Sequence, residues 1–164
     1  MNTTLFFLRS SEQKIAINIL SNTNSAHLSV YTEHYGLKNS DVGIYSLTDN
    51  DLSGAAWIRL YKEFDGISGY VNDITPVLML GVLPDVRANG IGTLIMGQLL
   101  QEAAVMYDQI SVQSTSRTLN FYKRLGFVLL AGSEQDNDFT MIKKLEKKAV
   151  IRPTDGYDPR RWMD

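Results

Sequence analysis

The sequence predicts an α/β fold, in which a central mixed β-sheet of about six or seven strands carries helices on both of its faces. Two observations support this fold class. Short apolar or alternating segments recur along the chain, as is typical of strands. Between them lie segments in which apolar residues repeat every three or four positions, as they do on one face of a helix.

The N-terminal part of the chain predicts two helices, three strands and a long loop. The first helix begins after Ser10 and places Ile15 and Ile19 on one face. A turn-forming Thr-Asp-Asn-Asp sequence separates the two strands of a hairpin. The other predicted ranges are a strand over Thr4–Arg9, a short helix over Ala26–His34 that ends near Gly36, hairpin strands over Val42–Leu47 and Gly54–Tyr61, and an irregular loop over Lys62–Thr75.

The C-terminal part predicts the centre of the fold: a strand, a glycine-containing turn, a long helix, a strand, a short helix and a strand. The first strand, Val77–Leu83, is almost entirely apolar, as expected for a strand covered on both faces. The short helix ends at Gly126, which suits a C-terminal cap. The other predicted ranges are Ile91–Tyr107 for the long helix, and Gln109–Ser114, Phe127–Ala131 and Phe139–Lys144 for strands.

Length and composition favour one cytoplasmic domain over residues 1–145, followed by a charged tail or surface extension over residues 146–164. The net charge of −2 favours neither a nucleic acid nor a membrane as partner. There is no cysteine, which excludes disulfides, thiolate zinc sites and a cysteine nucleophile. The two histidines, His27 and His34, form no metal-ligand motif, so we expect no metal.

The turn before the long helix has the sequence Arg-Ala-Asn-Gly-Ile-Gly and suits an anion. The first N–H groups of a helix have no internal partner, and the helix dipole adds positive charge there. Gly90 and Gly92 leave room for close approach, and Arg87 adds a guanidinium. The alternative is that the glycines only form a tight turn and that Arg87 is solvated. A dinucleotide fingerprint is excluded because Ile95 stands where it requires glycine.

Residues 82–96 resemble the acyl-CoA-binding motif of the GNAT acyltransferase superfamily, Arg/Gln-x-x-Gly-x-Gly/Ala, with Arg87, Gly90 and Gly92 in register. Residues 115–127 resemble a second motif of the family, with Tyr122, Gly126 and Phe127 in register. The hairpin strand and the final strand are also similar to those of a bacterial GNAT group. The resemblance therefore extends from about Val42 to Leu145.

The resemblance implies an N-acetyltransferase that moves an acetyl group from acetyl-CoA directly to a primary amine of a small molecule, peptide or protein. It implies Tyr122 as general acid, a phenol that stays protonated at neutral pH. Since related proteins are often dimers, it also allows a homodimer. The cofactor-binding residues that it implies are Val82 and Leu83 for the pantetheine, Arg87, Ala88, Asn89, Gly90, Ile91, Gly92 and Thr93 for the diphosphate, and Thr115.

The chain departs from the family pattern at three positions. Thr115 stands where asparagine is common, Thr118 where alanine is common, and Val77 where a related group has a glutamate. Candidates for a base that acts through water are Asp73, Glu63, Asp65, Glu33 and His34, although residues of this kind are more often solvated surface groups. Two other functions therefore stay open: an acyl-CoA-binding module without catalysis, and a protein-interaction domain.

Overall fold

The computed structural model describes residues 2–23, 29–134 and 136–147, which form one seven-stranded sheet in the order β1-β2-β3-β4-β5-β7-β6. All neighbouring strands are antiparallel except β4 and β5, which are parallel. The mixed sheet of the sequence prediction is confirmed. The strands are β1 (Thr3–Phe7), β2 (Val42–Thr48), β3 (Asp51–Arg59), β4 (Val77–Val82), β5 (Gln109–Thr115), β6 (Val128–Leu129) and β7 (Asp138–Lys144).

Helices cover both faces of the sheet. Because successive side chains of a strand point to opposite sides, β3 contributes residues to a core cluster on each face. Ala56 and Ile58 of β3 belong to the core cluster on the α3 face, whereas Ala55 and Trp57 belong to the cluster on the α1 face. Both clusters are closely packed, and Trp57 and Ile58 are fully buried. The helices are α1 (Gln13–Thr23), α2 (Ser29–Thr32), α3 (Ile91–Met106) and α4 (Leu119–Arg124).

The predicted hairpin is formed by β2 and β3, which a two-residue turn connects. Asp49 and Asn50 in this turn have φ values of 51° and 72°. Two consecutive left-handed residues produce the turn type that matches the twist of a hairpin, and Asp and Asn tolerate that conformation. The sequence predicted the turn correctly, although β3 begins closer to it than predicted, at Asp51.

β4 and β5 separate soon after they begin, which determines the position of the site. Their pairing consists of Val77 with Ser111 and Leu78 with Val112. β4 continues to Val82 and β5 to Thr115, so the carboxyl ends of both strands diverge. An opening therefore lies beside the C-terminal half of β4, at the edge of the sheet where α3 begins.

A buried network holds the segment between α2 and β2 against the α1 face. Arg59 Nε lies 3.2 Å from Asp41 Oδ1, and 2% of the Asp41 side chain is exposed. The other carboxylate oxygen of Asp41 accepts a hydrogen bond from the Gly36 backbone. The Trp57 indole N–H donates to the Tyr31 carbonyl. Because a buried charge needs both a partner and hydrogen bonds, this segment is a fixed part of the fold.

The structure differs from the sequence prediction mainly at the ends of elements and in the loops. The loop Lys62–Thr75 contains a 3-10 turn, Glu63–Asp65, which ends at the left-handed Gly66. β6 is limited to Val128–Leu129, shorter than predicted. Of the short helix expected over residues 26–34, Ser29–Thr32 is present as α2. Residues 24–28 lie outside the described part of the chain, as do residues 148–164 of the tail predicted over 146–164. No described helix is long and apolar enough to cross a membrane.

Candidate active site

The opening between β4 and β5 leads into a cavity of about 970 Å³. One wall consists of the end of β4 and the turn before α3, and the opposite wall of the end of β5 and the side chains of α4. Thr23, at the end of α1, reaches the cavity from the other face of the sheet. The cavity therefore lies where the two parallel strands have separated. Its walls include residues of both sequence motifs, 82–96 and 115–127.

The turn before α3 directs a run of backbone N–H groups away from the protein interior. Ala88 and Gly90 have φ values of 67° and 77°, in the left-handed region, and Gly90 is the N-cap of α3. The first helical hydrogen bond runs from Leu94 N–H to the Gly90 carbonyl. Within the described residues, the six N–H groups from Ala88 to Thr93 have no acceptor. Unsatisfied N–H groups at a helix N-terminus form an anion site.

Two side chains fix the conformation of this turn. Arg87 Nε donates to the Val82 carbonyl at 3.0 Å, which holds the guanidinium against the cavity wall. Asn89 Nδ2 donates to the carbonyls of Val86 and Arg87 at 3.0 and 3.3 Å. The Asn89 side chain thus braces the turn, and it does not line the cavity. The sequence prediction of Asn89 as a cofactor contact therefore depends on its backbone N–H alone.

The edge of β4 that faces the cavity exposes backbone groups. The Leu83 N–H donates to the Ser53 carbonyl at 2.8 Å, so Leu83 directs its N–H toward β3. Backbone groups alternate along a strand, so those of Leu80 and Val82 point toward the edge that β5 has left. Leu80 and Val82 both line the cavity. Of the two predicted pantetheine contacts, Val82 faces the site, whereas Leu83 packs its side chain with the core cluster on the α1 face.

Gly81 allows close packing of α1 on β4. A Cβ at this position would lie 2.6 Å from Ile19 Cγ2 and 2.6 Å from Thr23 Oγ1, distances that real side chains do not reach. Gly81 pairs with Ala55 with no shift of register between β3 and β4. Packing against α1 therefore explains this glycine.

Tyr122 lies on α4 with its side chain buried at the cavity wall. Its ring makes edge contacts with Phe121 and Phe127, at centroid distances of 5.2 and 5.3 Å. Its hydroxyl donates no hydrogen bond to any residue that the structure describes. Burial raises the pKa of Tyr122 above its ordinary value, so the phenol stays protonated at neutral pH. A fixed ring with an uncommitted, protonated hydroxyl is the arrangement that a general acid requires.

Two threonines shape the end of β5. Thr115 lines the cavity, and its contact with the cofactor stays a prediction. Thr118 Oγ1 lies 2.9 Å from Ser114 Oγ and accepts a hydrogen bond from the Thr115 backbone at 3.2 Å. This threonine thus closes the turn between β5 and α4.

The charged side chains on the cavity wall are all cationic. Arg87, Arg117 and Arg124 line it, and no described acidic residue does. Of these three arginines, the sequence predicted only Arg87 as a site residue. Arg117 and Arg124 belong to the second motif, at positions that the motif does not specify. The wall therefore favours a ligand with several negative charges.

Residues 39–129, more than half of the chain, match the family described as the acetyltransferase (GNAT) domain. The chain belongs to the GNAT family of acetyltransferases. It is accordingly an acyltransferase, and the resemblance inferred from the sequence is confirmed. Comparison with curated protein sequences gives no match.

Solved structures of GNAT proteins share the fold at low sequence identity. The GNAT-family acetyltransferase from Streptococcus pneumoniae has a TM-score of 0.67 and 12% identity, over 88% of this chain and 100% of that one. The ribosomal-protein-S18-alanine N-acetyltransferase from Escherichia coli has a TM-score of 0.66 and 13% identity, over 96% and 100%. The PaiA N-acetyltransferase from Thermoplasma acidophilum, in complex with coenzyme A, has a TM-score of 0.59 and 15% identity, over 88% and 99%.

Two of the loop acids that are candidates for a base, Asp73 and Asp65, accept hydrogen bonds from other residues of the loop. The Asp73 carboxylate accepts hydrogen bonds from the Tyr70 hydroxyl and from Lys62. The Tyr70 hydrogen bond, and next to it the Lys62 charge, lower the pKa of Asp73, which weakens it as a base. Asp65 accepts a hydrogen bond from the Lys62 backbone.

The other candidate bases also lie outside the cavity wall. Glu63, Glu33 and His34 are not among its lining residues, and exposed Glu33 and His34 lie 3.7 Å apart. Val77, at the position of the glutamate in the related group, is buried in the core on the α1 face. His27 lies outside the described residues. The cavity of this GNAT domain therefore presents the Tyr122 phenol and no carboxylate among the residues described.

Proposed function

We propose that this protein is an N-acetyltransferase that transfers the acetyl group of acetyl-CoA directly to a primary amine. One observation carries the proposal: a turn whose N–H groups have no acceptor among the described residues and three guanidiniums line one cavity beside a free strand edge and a protonated phenol. Each feature matches one part of the donor: the diphosphate, the pantetheine and the departing thiolate. The acceptor is proposed as a small molecule, or as an N-terminus or lysine of a peptide or protein.

The turn before α3 is proposed to hold the diphosphate. Oxygens of the two phosphates replace water on the N–H groups from Ala88 to Thr93, among which those of Gly90, Ile91 and Gly92 lie at the helix N-terminus. Arg87 adds a charge from the side. A charge-assisted hydrogen bond contributes about 1.5–3 kcal/mol, so a few such bonds suffice for micromolar binding.

The free edge of β4 is proposed to orient the pantetheine and the thioester. The amide groups of the pantetheine add to the edge at Leu80 and Val82 as a short extra strand. An N–H of this edge then lies beside the thioester carbonyl and stabilises the oxyanion that forms during transfer. Because the Leu83 N–H already donates to Ser53, we assign this donor to Leu80 or Val82.

The transfer itself needs one nucleophile and one acid. The neutral amine nitrogen attacks the thioester carbonyl, and the carbonyl oxygen takes the electron pair of the broken π bond. When the intermediate collapses, the carbon–sulfur bond breaks and the Tyr122 hydroxyl donates its proton to the thiolate. The amine loses a proton to water, and solvent returns a proton to Tyr122. No cysteine is present to form an acyl-enzyme, so direct transfer accounts for all atoms.

A second candidate function is an acyl-CoA-binding module with weak catalysis. Val77 at the position of a family glutamate favours it, as does the lack of a carboxylate among the described lining residues. The enzyme needs no dedicated base if the acceptor amine arrives neutral, so the two candidates differ in turnover and not in cofactor binding.

Two measurements on the intact chain test the proposal. Acetyl-CoA is expected to raise the melting temperature, because ligand binding to the native state stabilises it. A thiol-release assay with amino acids, polyamines, peptides and aminoglycosides is expected to give turnover that depends on the amine. A thermal shift without amine-dependent thiol release would support the binding module, and no shift with any acyl-CoA would contradict both functions. Homodimerisation and a cytoplasmic location stay predictions.

A further inference from the structure

Three side chains on the α4 side of the cavity form a surface that the diphosphate site does not use. Phe121 and Arg124 lie three residues apart on α4, Arg117 lies in the turn that precedes this helix, and all three line the cavity. Phe121 Cζ would be 3.3 Å from a Cβ at Gly92, so the Phe121 ring packs directly on the first turn of α3. The two arginines therefore line the same cavity as an aromatic ring that adjoins the diphosphate site.

Among the residues that the structure describes, neither arginine has a structural partner. In the described ranges, Arg117 and Arg124 form no ion pair, and their guanidiniums donate no hydrogen bond to the protein. The exposed Lys62 and Lys147, in contrast, both contact carboxylates. Two unpaired cations that line one cavity repel each other, and a bound anion relieves this repulsion.

The charge on this wall exceeds what a diphosphate explains. The six N–H groups and Arg87 already serve that group. Coenzyme A carries one further anion, the 3′-phosphate, which is separated from the diphosphate by a single ribose ring. A phosphate monoester has a second pKa of about 6 and is close to a dianion at neutral pH. Two guanidiniums match such a group better than they match any neutral part of the cofactor.

We infer that Arg117 and Arg124 form a second anion subsite that binds the 3′-phosphate of coenzyme A, in the cavity that they share with the Phe121 ring and the diphosphate turn. The inference rests on the proposed function, since it concerns how the same cofactor is bound. Its consequence is selectivity: the protein distinguishes coenzyme A from dephospho-coenzyme A, which carries the same diphosphate and pantetheine.

Calorimetric titration of the full chain with coenzyme A and dephospho-coenzyme A, at one fixed ionic strength, tests the inference. The wild-type protein is expected to bind coenzyme A about tenfold more tightly, the effect of one charge-assisted hydrogen bond at the low end of its range. Arg124→Gln and Arg117→Gln are expected to reduce this preference and to leave the affinity for dephospho-coenzyme A nearly unchanged. Arg124→Lys is expected to retain part of the preference.

Lys123→Gln is the matched control, because it removes the same charge from the same helix at a residue that does not line the cavity. It is expected to keep the full preference. The inference would be overturned if the arginine variants lost equal affinity for both ligands, or if the wild type showed no preference. The proposed function would still stand in either case, provided that the wild type binds coenzyme A. Failure of both ligands to bind the wild type would instead reject the proposed function. A full preference for coenzyme A in both arginine variants would also overturn the inference.

Discussion

Replacing Tyr122 with phenylalanine is expected to lower kcat by about a hundredfold or more and to leave the KM for acetyl-CoA nearly unchanged, since a general acid contributes about 10²–10⁴ in rate. The hydroxyl makes no hydrogen bond within the described residues, and the ring keeps its contacts with Phe121 and Phe127. The variant should therefore fold as the wild type does. Initial rates of thiol release at several acetyl-CoA concentrations measure both constants.

Tyr61→Phe is the matched control for this variant. The Tyr61 hydroxyl is buried and has no hydrogen-bond partner in the part of the chain that the structure describes, but Tyr61 does not line the cavity. Its removal is expected to leave kcat unchanged and stability equal or slightly higher, because an unsatisfied buried polar group is lost. If Tyr122→Phe and Tyr61→Phe had the same kcat, Tyr122 would be a packing residue and its assignment as the acid would fail.

Replacing Gly90 with valine is expected to weaken coenzyme A binding about a hundredfold or more, as the loss of two charge-assisted hydrogen bonds would. Gly90 has a φ of 77°, which a β-branched residue adopts only with strain, so the turn must rearrange. A Cβ at this position meets nothing within 4 Å, so the side chain would occupy space at the entrance of the anion site. Calorimetric titration with coenzyme A measures the change.

Gly66→Val separates this effect from general destabilisation. Gly66 also has a left-handed φ, 64°, and open space around a Cβ, but it lies in the loop between β3 and β4, away from the cavity wall. It is expected to lower the melting temperature by a similar amount and to leave coenzyme A affinity unchanged. Equal loss of affinity in both variants would mean that strain, and not the anion site, explains the result.

Most of the fold could be predicted from the sequence because most helices, strands and turns are determined by residues that are close together in the chain. The apolar run at Val77–Val82, the helical repeat after Ile91 and the Asp49–Asn50 turn each depend on neighbouring residues. The family motifs added the position of Tyr122 and the anion turn. Element ends were less certain, as at β6, where pairing with β7 decides how far a strand extends.

The parts of the site that escaped prediction depend on contacts between distant segments. Leu83 was expected to face the cofactor, but the register of β3 and β4 commits its N–H to Ser53. The Asp73 carboxylate looked available in the sequence, and it is held by Tyr70 and Lys62. In the sequence, Arg117 and Arg124 do not differ from other surface arginines. Their position on the cavity wall follows from the packing of α4 beside the first turn of α3. Contacts between distant segments cannot be predicted from the periodicity of a single segment.

The central claim is that the turn from Ala88 to Thr93 binds the diphosphate of the acyl donor through its backbone. A crystal structure of the complex with acetyl-CoA tests it most directly. The account predicts diphosphate oxygens within hydrogen-bonding distance of several of these N–H groups, with the thioester beside the free edge of β4 and near the Tyr122 hydroxyl. Acetyl-CoA bound elsewhere, with the same N–H groups facing only solvent, would contradict it.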